Sequence, residues 1–101
     1  MPTPYTLTKL KEIVAPVARR HGVKKVSIFG SYGRGQATEK SDVDLYIEKG
    51  RMKTLLHIAA FQLDMEEALK VHVDVVTNDI DDKAFLERIK PDEVTLYELD
   101  K

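Results

Sequence analysis

A glycine-rich turn set between two strand patterns constrains this chain more than any other feature. Lys24 to Phe29 reads as a strand, and it runs straight into Gly30-Ser31-Tyr32-Gly33-Arg34-Gly35. Three glycines in six residues mark a tight turn where the backbone must approach something closely. After a polar stretch, Asp42 to Glu48 alternates. Val43, Leu45 and Ile47 face one way and Asp42, Asp44 and Tyr46 the other, as a half-buried strand requires.

The apolar side of such a strand needs helices to cover it. Leu7, Leu10, Val14, Val17, Ala18 and His21 recur at helical spacing. Thr6 or Thr8 caps the start, Gly22 ends it, and Pro16 is expected to kink it. Beyond the Lys49-Gly50-Arg51 turn, Met52, Leu55, Leu56, Ala59, Ala60 and Leu63 predict the apolar stripe of a second helix, continuing to about Leu69. Val71 to Val76 is a third strand, with Val71, Val73 and Val75 on one face and His72, Asp74 and Val76 on the other. Asp81 or Asp82 caps a third helix through Ile89, with Phe85, Leu86 and Ile89 as its core face, stopped near Pro91. Val94 to Leu99 is too short to assign. The order is helix, strand, strand, helix, strand, helix, which predicts a small α/β (α+β) domain with helices packed on a sheet.

At 101 residues a single domain, residues 1–101, is expected. A formal net charge of −1 argues against direct nucleic-acid binding, because a protein held by phosphate contacts carries a basic excess. Absent cysteines exclude disulfides and thiolate metal sites. No apolar run approaches the ~20 residues that span a bilayer. Met1-Pro2-Thr3-Pro4 has neither a basic segment nor an apolar signal core, so a cytoplasmic location is expected.

Asp42 and Asp44 project from one face of their strand, so their carboxylates lie close and repel. A divalent cation relieves that repulsion, and Mg²⁺ takes hard oxygen ligands while leaving positions open for water and phosphates. Asp74, on another strand with the same alternation, is placed to line the same face. Three carboxylates so arranged would hold one or two metals for in-line phosphoryl displacement. The competing reading is that acids on an open strand face are merely solvated. The glycine turn shifts the balance, because successive backbone N–H groups there form an anion-binding nest. Ser31 offers a hydroxyl to a phosphate oxygen, and Arg34 a guanidinium that forks onto two. His72 shares the face of Asp74, but the usual burial of histidine favours a partly buried structural role. His21 and His57 have no partner at metal-ligand spacing. Tyr32 and Tyr46 are assigned to packing.

Gly30-Ser31, ten residues, then Asp42-Val43-Asp44, followed by Asp74 in His72-Val73-Asp74-Val75-Val76, resembles the signature of the DNA polymerase β-like nucleotidyltransferase superfamily. The fuller string from Phe29 to Leu45 is similar to its smallest members, the minimal nucleotidyltransferases. Gly33, where alanine is common, and Gln36, where glutamate is common, are slight departures. The resemblance implies a mixed sheet flanked by helices, with Asp42 and Asp44 binding two Mg²⁺ ions through a triphosphate. It implies that Asp74 binds the metal that activates the acceptor hydroxyl, and that Gly30 and Ser31 hold the β and γ phosphates. The implied substrate is ATP and the reaction adenylyl transfer with release of pyrophosphate. Many such proteins resemble antitoxins whose partners are HEPN-domain ribonucleases adenylylated on a tyrosine, which implies a hetero-oligomer with such a toxin. Two alternatives stay open: a non-catalytic antitoxin that occludes its partner, and transfer to a small-molecule or RNA hydroxyl.

Overall fold

The computed structural model describes residues 5–38, 40–79 and 82–99. Met1–Pro4, read above as carrying no signal, and Asp81, one of two alternative helix caps, lie outside the described residues.

The first helix, α1 (Leu7–His21), starts where Thr6 accepts a hydrogen bond from the Lys9 amide at 3.0 Å. It ends at Gly22, whose φ of 72° is open to glycine at little cost. Arg19, Arg20 and His21 fill its last turn, where positive charge complements the helix dipole. The helix runs unbroken through Pro16. Leu10, Val14, Val17 and Ala18 are buried, whereas Leu7, expected in the core, is exposed in the first turn.

Strands β1 (Lys25–Phe29) and β2 (Val43–Glu48) are antiparallel, with α2, a single turn of helix (Gly30–Gly33), following β1 directly. From β2 the chain crosses through α3 (Leu55–Leu69) to β3 (Val73–Thr77), which pairs parallel with β2. A parallel return of this kind requires a crossover element, and α3 supplies it. Helix α4 (Lys83–Ile89), capped by Asp82, leads through a 3₁₀ turn at Lys90–Asp92 to β4 (Val94–Glu98). The unassigned tail is thus a strand, antiparallel to the other side of β1. The sheet order is β3-β2-β1-β4, a mixed sheet flanked by helices, as expected.

The core lies between one face of this sheet and helices α1 and α3. Val26, Ile28, Val43, Leu45, Ile47 and Val73 are fully buried there. From α3 the core takes Phe61, Met65 and Leu69, with Ile58 partly buried beside them. This corrects the sequence reading. Met52 is buried as expected, but Leu55, Leu56, Ala59, Ala60 and Leu63 are exposed. The helix is apolar on two sides, so periodicity alone allowed either stripe to face inward. No helix among the described residues is long and apolar enough to cross a membrane.

Candidate active site

Val43, Leu45 and Ile47 commit one face of β2 to the core, so strand alternation sends Asp44 and Tyr46 to the opposite face. In the parallel β2–β3 pair, Asp44 is in register with Asp74 and Val43 with Val73. In the antiparallel β1–β2 pair, Phe29 is in register with Asp44, so the turn after β1 begins beside that carboxylate.

Gly30 is shaped by this neighbour. Its φ is 69°, and a Cβ there would collide with the Asp44 carboxylate. Glycine is required twice over, by conformation and by space. Gly33 has a different reason: a Cβ on it would run into the backbone of Asp92, so alanine would displace the 3₁₀ turn. At the N-terminus of α2, Phe29 provides no side-chain cap, which leaves the opening amides of Gly30-Ser31 without one. The Arg34 guanidinium lies 3.5 Å from the Asp92 carboxylate, and its Nε donates to the Gln36 side chain at 3.3 Å.

Asp42, His72 and Asp74 bring one ligand atom each to within 4.8 Å of one another, all three exposed. Asp44 sits deeper, half-buried against the turn. Burial raises its pKa most, the adjacent Asp74 carboxylate raises it further, and Asp42 adds to the effect, while Arg34 opposes it. Crowded carboxylates of this kind favour a cation, and their oxygen donors suit a hard one.

His72 departs from its expected partly buried structural role. It is exposed and joins two acids: Nε2 is 2.9 Å from Asp74, and Nδ1 is 3.0 Å from Glu66. Its pKa is raised, chiefly by the hydrogen bond and charge of Asp74. Glu66 also accepts from the Val73 amide at 3.0 Å, and Gln62 donates to the Val73 carbonyl at 2.8 Å. Two side chains one turn apart on α3 therefore hold the edge strand at the residue preceding Asp74. Sequence reasoning missed both. The available signal was a polar pair at i and i+4 on a helix otherwise rich in apolar residues.

The structure brings Asp42, Asp44, Asp74 and Gly30-Ser31 to one corner of the sheet, with Arg34 close enough to act on Asp44. Two clefts are lined by none of these residues, one of about 380 Å³ bordered by Arg20, Asp64, Glu67 and Ala68. The other, of about 200 Å³, is lined by Tyr5, Leu7, Tyr32, Gly35 and Ala37.

The chain is similar to several known proteins. A candidate protein adenylyltransferase of Methanocaldococcus jannaschii is 41% identical over 71 residues, spanning 70% of this chain and 76% of that protein. The protein adenylyltransferase MntA of Thermococcus cleftensis is 33% identical over 75 residues, covering 70% of this chain and 76% of its own length. The solved structure of a candidate minimal nucleotidyltransferase superposes with a TM-score of 0.73 at 33% identity, covering 89% of this chain and 95% of that one. The complex of a tri-AMPylated Shewanella oneidensis HEPN toxin with an MNT antitoxin contains a chain of the same fold. It has a TM-score of 0.70 at 14% identity, and the match covers 92% of this chain and 73% of that one. The profile of the nucleotidyltransferase domain matches residues 10–98, from the first turn of α1 to the end of β4. By sequence, and by the sheet that gathers its acids beside a glycine turn, the chain belongs to the nucleotidyltransferase domain family.

Proposed function

We propose that this nucleotidyltransferase moves AMP from ATP to a tyrosine hydroxyl of a HEPN-type toxin, acting in the cytoplasm as an antitoxin by adenylylation. The observation that carries the proposal is the register of Asp44 against Asp74, with Gly30 packed on Asp44. The two relatives, one a protein adenylyltransferase and the other a candidate one, support the choice of adenylyl transfer. The Shewanella complex supports a HEPN partner.

The donor set fits Mg²⁺: three carboxylates, no thiolate, and a deep member whose pKa is raised first by burial and then by the neighbouring Asp74 and Asp42 carboxylates. In this reading Asp42, Asp44 and Asp74 hold two such ions. When bound, the metals supply charge neutralisation along the triphosphate and a more acidic acceptor hydroxyl. The Gly30-Ser31 amides and the Ser31 hydroxyl take oxygens of the β and γ phosphates. Arg34, exchanging Asp92 for phosphate, forks onto two oxygens and offsets charge on the leaving group. Asp74, the more exposed of the in-register pair, faces the acceptor and takes the proton its hydroxyl releases. A bond forms between the acceptor oxygen and the α phosphorus, the bond from that phosphorus to the bridging oxygen breaks, and pyrophosphate departs.

The test is intact-mass analysis of the cognate toxin after incubation with ATP, Mg²⁺ and the chain. Wild type adds AMP to the toxin, and the Asp42→Asn, Asp44→Asn double variant adds none. Neutralisation of the toxin that persists unchanged in the double variant would replace catalysis with occlusion.

A further inference from the structure

Helix α3 carries two apolar stripes and uses one of them within the chain. Phe61, Met65 and Leu69 are buried, while Leu55, Leu56 and Leu63 are 84, 80 and 66% exposed, with Ala59 and Ala60 exposed between them. At 3.6 residues per turn these five share an arc of about 140°. A helix apolar on all sides is normally enclosed, yet among the described residues nothing covers this face. Contiguous exposed leucines of this kind mark a contact surface.

The charges on α3 indicate what covers it. Arg51 and Lys53 precede the helix, and its first turn holds no acid. Asp64, Glu66 and Glu67 lie in its second half, and its last turn holds no base, with Lys70 following at the cap. This polarity opposes the helix dipole, which favours acids at the start and bases at the end. Asp64 pairs with Arg20 and His21, and Glu66 with His72 and the Val73 amide, so the exposed face is basic at one end through Lys53, apolar in the middle and acidic at the other through Glu67.

We propose that this face of α3 binds a second copy of the chain, the two helices antiparallel about a two-fold axis passing between Ala59 and Ala60. That arrangement is self-complementary, as a two-fold contact must be. The alanines let the helices approach closely at the axis, and Ala60 of each copy faces Ala60 of the other. Leu56 of each copy packs on Leu63 of the other. Lys53 reaches Glu67 of the second copy at both ends, and the opposed dipoles relieve the inverted charge pattern.

The experiment is sedimentation equilibrium of the full chain from micromolar to near-millimolar concentration, with circular dichroism as the control for folding. A reversible dimer is expected, and Leu56→Glu weakens it by about tenfold or more. Lys53→Glu and Glu67→Lys each weaken it, and the two together restore it. Because the chain has no cysteine, Ala60→Cys gives one unambiguous probe that does not depend on a charged variant folding. It forms a disulfide-linked dimer under mild oxidation, and Lys11→Cys on α1 does not. A chain that is monomeric throughout overturns the proposal, as does a dimer indifferent to Leu56→Glu that Ala60→Cys fails to cross-link. A monomer whose Leu56→Glu variant loses only its grip on the toxin would overturn it as well, and would assign the face to that partner.

Discussion

Asp44 and Asp74 stand opposite each other across the parallel β2–β3 pair, so two strands deliver one carboxylate each at the same level of the sheet. The two acids differ in surroundings. Asp44 is half-buried against Gly30 and loses solvation, while Asp74 is open to solvent and hydrogen-bonded to His72. Their proximity costs the metal-free protein stability and equips it to hold cations.

That cost has a sign. The folded-state pKa of Asp44 is raised, so between its ordinary value and the folded value the native state binds more protons than the unfolded one. The stabilising contribution is present at low pH and is lost as pH rises through the folded pKa. At neutral pH the charged form is a burden, discounted because the group is partly solvated. Asp44→Asn is therefore expected to raise the melting temperature of the metal-free protein by about 2–4 °C, from roughly half a kcal/mol of relieved desolvation and repulsion. The same substitution removes the thermal stabilisation that Mg²⁺ confers on wild type. Differential scanning fluorimetry with and without Mg²⁺ measures both.

Gly30→Ala tests the turn. A left-handed alanine costs about 1–2 kcal/mol, and its methyl group pushes the Asp44 carboxylate out of register with Asp74. Chemical denaturation should report that loss of stability. Nucleotide binding measured calorimetrically should weaken in parallel.

How much was legible in the sequence follows the range of each interaction. The turn and the alternation of β2 were readable because glycine content and period-two burial are local properties. The Gly22 stop and the start of α1 were readable for the same reason. β4 was not, because five residues become a strand only by pairing with β1, far away in sequence. The buried stripe of α3 was misassigned because Leu55, Leu56, Ala59, Ala60 and Leu63 satisfy helical spacing as well as Ile58, Phe61, Met65 and Leu69 do. Only the position of the sheet decides between them. The convergence of Asp42, Asp44 and Asp74 on one face was readable from strand alternation. Gln62 and Glu66 left only the trace of a polar pair at i and i+4; that their partner is the backbone of Val73 is recorded by no sequence pattern.

Gln62→Leu isolates that hidden support. The Val73 carbonyl loses its donor, which costs about 1–3 kcal/mol of folding stability. The edge strand loosens next to Asp74, so the transfer rate falls by about tenfold while the Michaelis constant for ATP changes little, since Gln62 is not among the groups assigned to the nucleotide. Steady-state kinetics with ATP varied at saturating acceptor separates the two constants.

His72 provides a pH-dependent reporter. Its pKa is raised, first by the hydrogen bond to Asp74 and then by that residue's charge. The attraction is fully present below the ordinary histidine value and fades as pH rises through the folded pKa. In metal-free protein, NMR titration should place His72 above an unperturbed histidine, and Asp74→Asn should bring it back. A His72 resonance unmoved by Asp74→Asn would show that the two side chains are not paired in solution.

The most direct measurement of the central claim follows the phosphorus. Wild-type chain, Mg²⁺ and the toxin are incubated in parallel with ATP labelled at the α phosphate and with ATP labelled at the γ phosphate. Adenylyl transfer attaches the α label covalently to the toxin and releases the γ label as pyrophosphate, and Asp42→Asn with Asp44→Asn abolishes the attachment. Transfer of γ label, or no transfer at saturating nucleotide, would contradict it.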